Sequence, residues 1–181
     1  MFSFRNGRPG DIEFLARIDL KADGYYATPE DGPPWSPDAF KEHRDKIAKF
    51  VTEPDKGTVI ALDADGAPAG AIQYEVANRD AVYPWRTAFH ELDRGLFQSD
   101  GRFLKIFNVW VRPDCRRRGL ATTLKRKAED AAAEFGVNLV YTHTLATNAH
   151  VIELNEKMGY RVVRRGPIWD EHERVSLIKR L

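Results

Sequence analysis

The chain has 181 residues, 43% of them hydrophobic and 30% charged, which suits one folded domain and not a disordered tail. Lys and Arg number 28 against 27 Asp and Glu, a formal net charge of +1, and that balance argues against a nucleic-acid coat or a polybasic membrane binder. The single cysteine, Cys115, excludes an internal disulfide framework and any multi-cysteine zinc site.

No stretch approaches the length of a membrane span, and the N-terminus turns polar at Arg5-Asn6-Gly7-Arg8 before a signal-type apolar run forms. The expectation is one cytoplasmic domain over residues 1–181. Phe2 to Asn6 reads as a short strand. Pro9-Gly10 then turns the chain into a helix capped by Asp11, with Ile12, Leu15, Ala16 and Asp19 on one face. A proline-rich loop follows from Lys21 to Pro37. Ser36 with Pro37 opens a second helix, whose face is marked by Phe40, Arg44, Ile47 and Val51.

Thr58 to Leu62 and Ala69 to Val76 read as two strands of a hairpin turning at Asp65-Gly66. The aromatic segment Asn78 to Gly101 is longer than a hairpin connection needs, which suggests a cover for a binding site or a homodimer contact. Arg102 to Val111 is the strongest strand, ended by Pro113. Leu120, Leu124, Ala128, Ala131 and Phe135 then repeat at helical spacing up to Gly136. Val137 to Leu145 is a strand, Asn148 caps a helix to Met158, and Tyr160–Arg165 with Arg174–Lys179 make a terminal strand pair. This order predicts a mixed α/β sheet.

The chemistry concentrates where the Arg102–Val111 strand ends. Between Arg112 and Lys127 stand seven basic residues and one acidic one, Asp114. A helix start offers free N–H groups and the positive end of the dipole, and Gly119 and Ala121 give an anion clearance to approach. Neither a Walker A loop nor a dinucleotide Gly-x-Gly-x-x-Gly is present. No His-Glu-x-x-His or Gly-x-Ser-x-Gly motif occurs either, which removes the common metallo- and serine-hydrolase readings.

The run Arg116-x-x-Gly119-x-Ala121 after an apolar strand resembles the acyl-CoA pyrophosphate loop of the GNAT (Gcn-type) N-acetyltransferase superfamily. The run Asn148-Ala149-His150-Val151-Ile152-Glu153-Leu154-Asn155-Glu156-Lys157-Met158-Gly159-Tyr160 is similar to that family's last helix. The resemblance implies a mostly antiparallel sheet of about six to seven strands with about four helices, splayed at two central strands. It implies acetyl-CoA as acyl donor and no metal, with the donor held by Val109, Val111, Arg116, Arg117, Arg118, Gly119, Ala121, Thr122, Asn148 and Asn155.

The implied reaction is direct attack of a primary amine, on a small cation or a peptide, upon the thioester, with a strand N–H near Val109 facing the oxyanion. A non-catalytic acyl-CoA-binding module is the alternative, because the family's usual acid, a tyrosine, is replaced here by Asn155. His143 stands where some members place a basic carboxylate, and an imidazole titrating near neutrality suits proton removal. Glu75 and Glu91 are candidate water-mediated relays. The resemblance assigns the acceptor to the loop between the first two helices and the last strand pair, where Tyr25, Tyr26, Trp35 and Trp169 offer aromatic faces to a cation. No nucleic-acid or membrane partner is expected.

Overall fold

The structure is a computed structural model, and it describes residues 1–22, 37–83 and 88–181. Seven strands form one sheet: β1 (Ser3–Asn6), β2 (Lys56–Leu62), β3 (Pro68–Asn78), β4 (Arg102–Val111), β5 (Leu139–Leu145), β6 (Arg161–Gly166) and β7 (Arg174–Arg180). Their spatial order is β1-β2-β3-β4-β5-β7-β6. Every pairing is antiparallel except β4 with β5. The helices described are α1 (Ile12–Ala22), α2 (Pro37–Thr52), α3 (Leu120–Glu134) and α4 (Ala149–Lys157).

Alternation along the strands assigns each helix to a face. Ala71 and Phe107 pack with Leu15, Ile47 and Phe50 of α1 and α2. Their chain neighbours Ile72 and Ile106 pack with Leu120, Leu124 and Ala128 of α3. The hairpin between β2 and β3 turns at Gly66, whose φ of 79° suits glycine, and Asp63 Oδ1 accepts from the N–H groups of Asp65 and Ala67.

Three expectations need correction. Arg44 is exposed, whereas Phe40, Ile47 and Val51 of the expected face do pack inward, joined by the buried His43 and Phe50. His43 faces inward because buried Asp19 of α1 is its partner, with His43 Nδ1 at 2.6 Å and Lys46 Nζ also at 2.6 Å. Lys125 and Ala132 join the buried face of α3. The long segment after β3 builds core: Phe89, Leu92 and Phe97 are buried against Phe103 and Tyr141. Edge-on contacts of Phe89 at 4.9 Å from both Phe103 and Tyr141 explain its aromatic composition. The Ser36 cap lies outside the described residues.

Candidate active site

Two strands part at the centre of the sheet. β4 and β5 pair only at Leu104 with Val140 and Lys105 with Tyr141. Beyond that point each remains tied on its outer side, β4 to β3 as far as Val111 and β5 to β7 as far as Leu145. A bulge helps them diverge: Gln73 of β3 pairs Asn108 and Tyr74 pairs Ile106, leaving Phe107 as the extra residue. Phe107 stacks on Phe50 of α2 with centroids 4.5 Å apart, which fixes the bend. The inner edges of β4 and β5 past Lys105 and Tyr141 therefore have no strand partner among the described residues. Val109 and Val111 lie on that edge.

The loop closing the end of β4 is built by Arg112. Its guanidinium bonds Asp114 Oδ1 at 2.7 Å, Asp63 Oδ2 at 2.8 Å and the Pro68 carbonyl at 3.1 Å. Arg112 thus anchors the loop to the β2–β3 turn and is neutralised there. The uncommitted positive charge of the segment falls to its exposed neighbours. Arg117 is the single non-glycine with positive φ among the described residues, at 57°, and Gly119 follows at 77°. These two left-handed residues turn the chain so that the N–H groups of Arg117 through Thr122 have no acceptor among the described residues.

An added Cβ at Gly119 would meet nothing within 4 Å, so the approach to these amides is open. Arg116, Arg117 and Arg118 are exposed, and Ala121 and Thr122 are half-buried. Arg116 Nε donates to the Val111 carbonyl at 3.2 Å, so that oxygen already carries one hydrogen bond. Arg118 lies over the Phe2 ring at 4.8 Å. Across the gap Asn148 precedes α4; its Oδ1 is buried and has no partner among the described residues. An anion-ready helix start, a backbone cleft and an orphaned amide oxygen therefore line one opening.

A sequence profile of the Acetyltransferase (GNAT) family matches residues 20–160, most of the chain. The chain belongs to this family. GCN5-related N-acetyltransferase 6, chloroplastic, from Arabidopsis thaliana is 33% identical over 69 residues, 38% of this chain and 24% of that protein. The match thus spans about a quarter of that relative's length. Arabidopsis thaliana NAA60 in complex with acetyl-CoA superposes with a TM-score of 0.74 at 17% identity, covering 100% of this chain and 99% of that one. The spermidine/spermine N-acetyltransferase SpeG of Vibrio cholerae, in mutant form, gives 0.63 at 13% identity, covering 99% and 95%. These two likenesses establish the fold.

On the other face of this GNAT sheet, His143 of β5 lies opposite Ser176 of β7. Its ring meets Tyr141 at 5.9 Å and, edge-on, Trp169 at 5.1 Å. Trp169 is half exposed and stacks under the Arg174 guanidinium, 4.1 Å away. Asp170 holds Arg174 with both carboxylate oxygens. The structure brings His143 and Trp169 together, while Tyr25, Tyr26 and Trp35 lie outside the described residues.

His143 does not titrate near neutrality. Burial pushes its imidazole down to about 3, with the charges of Lys105 and Arg174 adding to the effect, and its Nδ1 is buried without a partner among the described residues. The ring is neutral at physiological pH and is a weak base. Sequence reasoning passed over Arg174, whose only signal was its place at the start of a strand.

Asn155 is 1% exposed. Its Nδ2 donates to the Val151 carbonyl at 2.8 Å, and its Oδ1 is buried without a partner among the described residues. The free atom is an acceptor, which has no proton for a departing thiolate. Glu75 is held between Lys105 Nζ at 2.8 Å and Lys56 Nζ at 3.1 Å, and these ammonium groups keep its carboxyl below the usual range against the pull of burial. Glu91 pairs with Arg164. His150 is exposed and Cys115 is buried. A hollow of about 560 Å³ lies at the opposite end of β3 and β4, lined by Lys56, Glu75, Tyr83, Arg102 and Phe135 among others. Among the described residues no cluster of His, Cys, Asp and Glu suits a metal ion, and no helix is long and apolar enough to cross a membrane.

Proposed function

We propose that this GNAT protein transfers the acetyl group of acetyl-CoA to a primary amine, on a small molecule or a peptide, by direct attack. The observation that carries the reading is the opening between β4 and β5, closed at one end by the free N–H groups of Arg117 through Thr122. Those amides, the α3 dipole and the three exposed arginines favour a pyrophosphate. Gly119 leaves it room. The unpaired edge of β4 at Val109 and Val111 suits the amides of a pantetheine arm, and Asn148 Oδ1 supplies an acceptor for one of its N–H groups. A backbone N–H of β4 near Val109 then faces the thioester oxygen and stabilises the charge that develops there.

The acceptor reaches the thioester from the His143–Trp169 side. His143 stays neutral and orients the amine through a hydrogen bond. It does not hold the proton that the amine loses, which passes to solvent. Trp169, braced by Arg174 and Asp170, offers its edge and open surface to the carbon skeleton of the acceptor. Asn155 packs beside the reactive end of the donor as an acceptor and not as an acid.

The test is twofold. Acetyl-CoA should raise the melting temperature, because it binds the native state alone. Thiol release should then appear with at least one member of a panel of polyamines, amino acids and N-terminal peptides. Absence of any thermal shift overturns the donor site. A shift with no thiol release across the panel supports the binding-only alternative.

A further inference from the structure

α3 carries a second feature that neither the anion loop nor the acceptor face uses. Lys125 is 2% exposed, and its Nζ has no hydrogen-bond partner among the described residues. It faces inward between Leu124 and Ala128, and the Tyr160 ring lies 4.8 Å from the Nζ. Glu129, one turn further along α3, would be its natural partner. One oxygen of that carboxylate is engaged elsewhere, since Glu129 Oε2 pairs with Lys179 Nζ of β7 at 2.7 Å; Glu129 Oε1 is buried and, like Lys125 Nζ, has no hydrogen-bond partner among the described residues.

Glu129 from α3, Lys179 from β7 and Tyr160 ahead of β6 are the titratable groups facing Lys125 among the described residues. Tyr160 is kept protonated by burial and by Glu129. β5, α4 and β6 contribute Val140, Ile152 and Val162 to the same core, with Met158 just after α4. The cluster thus holds one carboxylate and two amines, and the amine nearer the helix start is the one that makes no hydrogen bond to that carboxylate.

We propose that acetyl-CoA binding at the start of α3 is coupled to protonation of Lys125, the buried and unpartnered amine on the same helix, so that the protein takes up a proton with the donor and binds it more weakly as pH rises. The proposal rests on the acetyl-CoA reading of the loop. Burial pushes the Lys125 amine down to about 7, with Glu129 favouring the charged form and Lys179 opposing it. The free protein above that pH therefore holds a neutral amine. Six residues separate Gly119 from Lys125, about 9 Å along the helix axis.

A pyrophosphate at Gly119 brings negative charge to the start of the helix that carries the amine, and the Nζ lone pair then takes a proton from the buffer. Linkage makes the effect reciprocal, since a proton on Lys125 tightens the donor by the same factor that the donor tightens the proton. The sign follows: affinity is greatest below the amine's free-state value and falls to a plateau above its bound-state value. At this separation the fall is roughly fivefold or more for two charges.

Isothermal titration calorimetry of acetyl-CoA between pH 7 and pH 9, in buffers of different ionisation enthalpy, counts the protons taken up. The wild type should absorb a substantial fraction of a proton near pH 8, with its affinity dropping across the range. Lys125→Met, which keeps the length and removes the amine, should bind with no such uptake and with an affinity nearly flat in pH. Should that variant fail to fold, Glu129→Gln serves: loss of the carboxylate moves the affinity fall to lower pH. Binding without proton uptake in the wild type, or equal uptake in Lys125→Met, overturns the coupling and leaves the donor site standing. No binding heat at any pH overturns the donor site and the coupling together.

Discussion

Replacing His143 by alanine should slow the chemical step only modestly, contrary to what its position on β5 suggests. General bases contribute about 10²–10⁴-fold when their pKa lies near the working pH. Burial holds this imidazole at about 3 against an ordinary 6.5. With a Brønsted sensitivity of about one half, that difference removes roughly 50-fold of base strength, cutting contributions of about 10²-fold and 10³-fold to roughly twofold and twentyfold. The expected result for His143→Ala is a loss in kcat of no more than about twentyfold, with a rise in KM for the amine because a hydrogen-bonding neighbour is gone.

The wild-type rate should climb with pH as the substrate amine deprotonates, without an inflection between pH 5 and pH 7. The same shift has a stability consequence. The unfolded chain binds the extra proton as pH falls below about 6.5, whereas the folded chain refuses it until about 3. Stability should therefore drop by about 2 kcal/mol between pH 7 and pH 5 from this group, a slope that His143→Ala loses. The assays are a pH–rate profile by thiol release and urea melts at both pH values. A wild-type inflection near pH 6–7 that disappears in His143→Ala, with a kcat loss of a hundredfold or more, refutes the reasoning.

Lys125→Met should stabilise the protein by about 2–4 kcal/mol at pH 7, because the unfolded chain carries a proton on this amine up to about 10.5 while the folded one releases it near 7. The gain should shrink toward pH 10, and melts showing a less stable variant at pH 7 would count against the burial cost. Gly119→Glu should abolish the acetyl-CoA thermal shift by setting a carboxylate in front of the free amides. Its own melting temperature should fall only modestly, since the cost is the positive φ and not a clash. Gly57→Ala should cost about 1–3 kcal/mol, because the new Cβ lies 2.4 Å from Tyr74 Cε2 and the ring must move. Trp169→Ala should raise KM for the amine severalfold and leave acetyl-CoA affinity unchanged, which titration against each ligand measures.

Features set by near neighbours in the chain were mostly legible in the sequence. Asp65-Gly66 marked the hairpin, and the spacing of Leu120, Leu124, Ala128 and Ala131 marked the helix face. Gly119 marked the turn that frees the amides, since positive φ is a local property. The order of strands and helices along the chain then followed from these local patterns. Only the tertiary structure decided the electrostatics. Arg112 counted as part of a positive patch until Asp63, 49 residues away, neutralised it. Lys125 looked like another surface charge until Tyr160 and the α3 core closed over it. His143 kept an ordinary histidine's promise until burial, Lys105 and Arg174 lowered its basicity. The physical reason is common to all three: a side chain's charge state depends on solvent access and on groups distant in sequence, and neither has a local pattern to read.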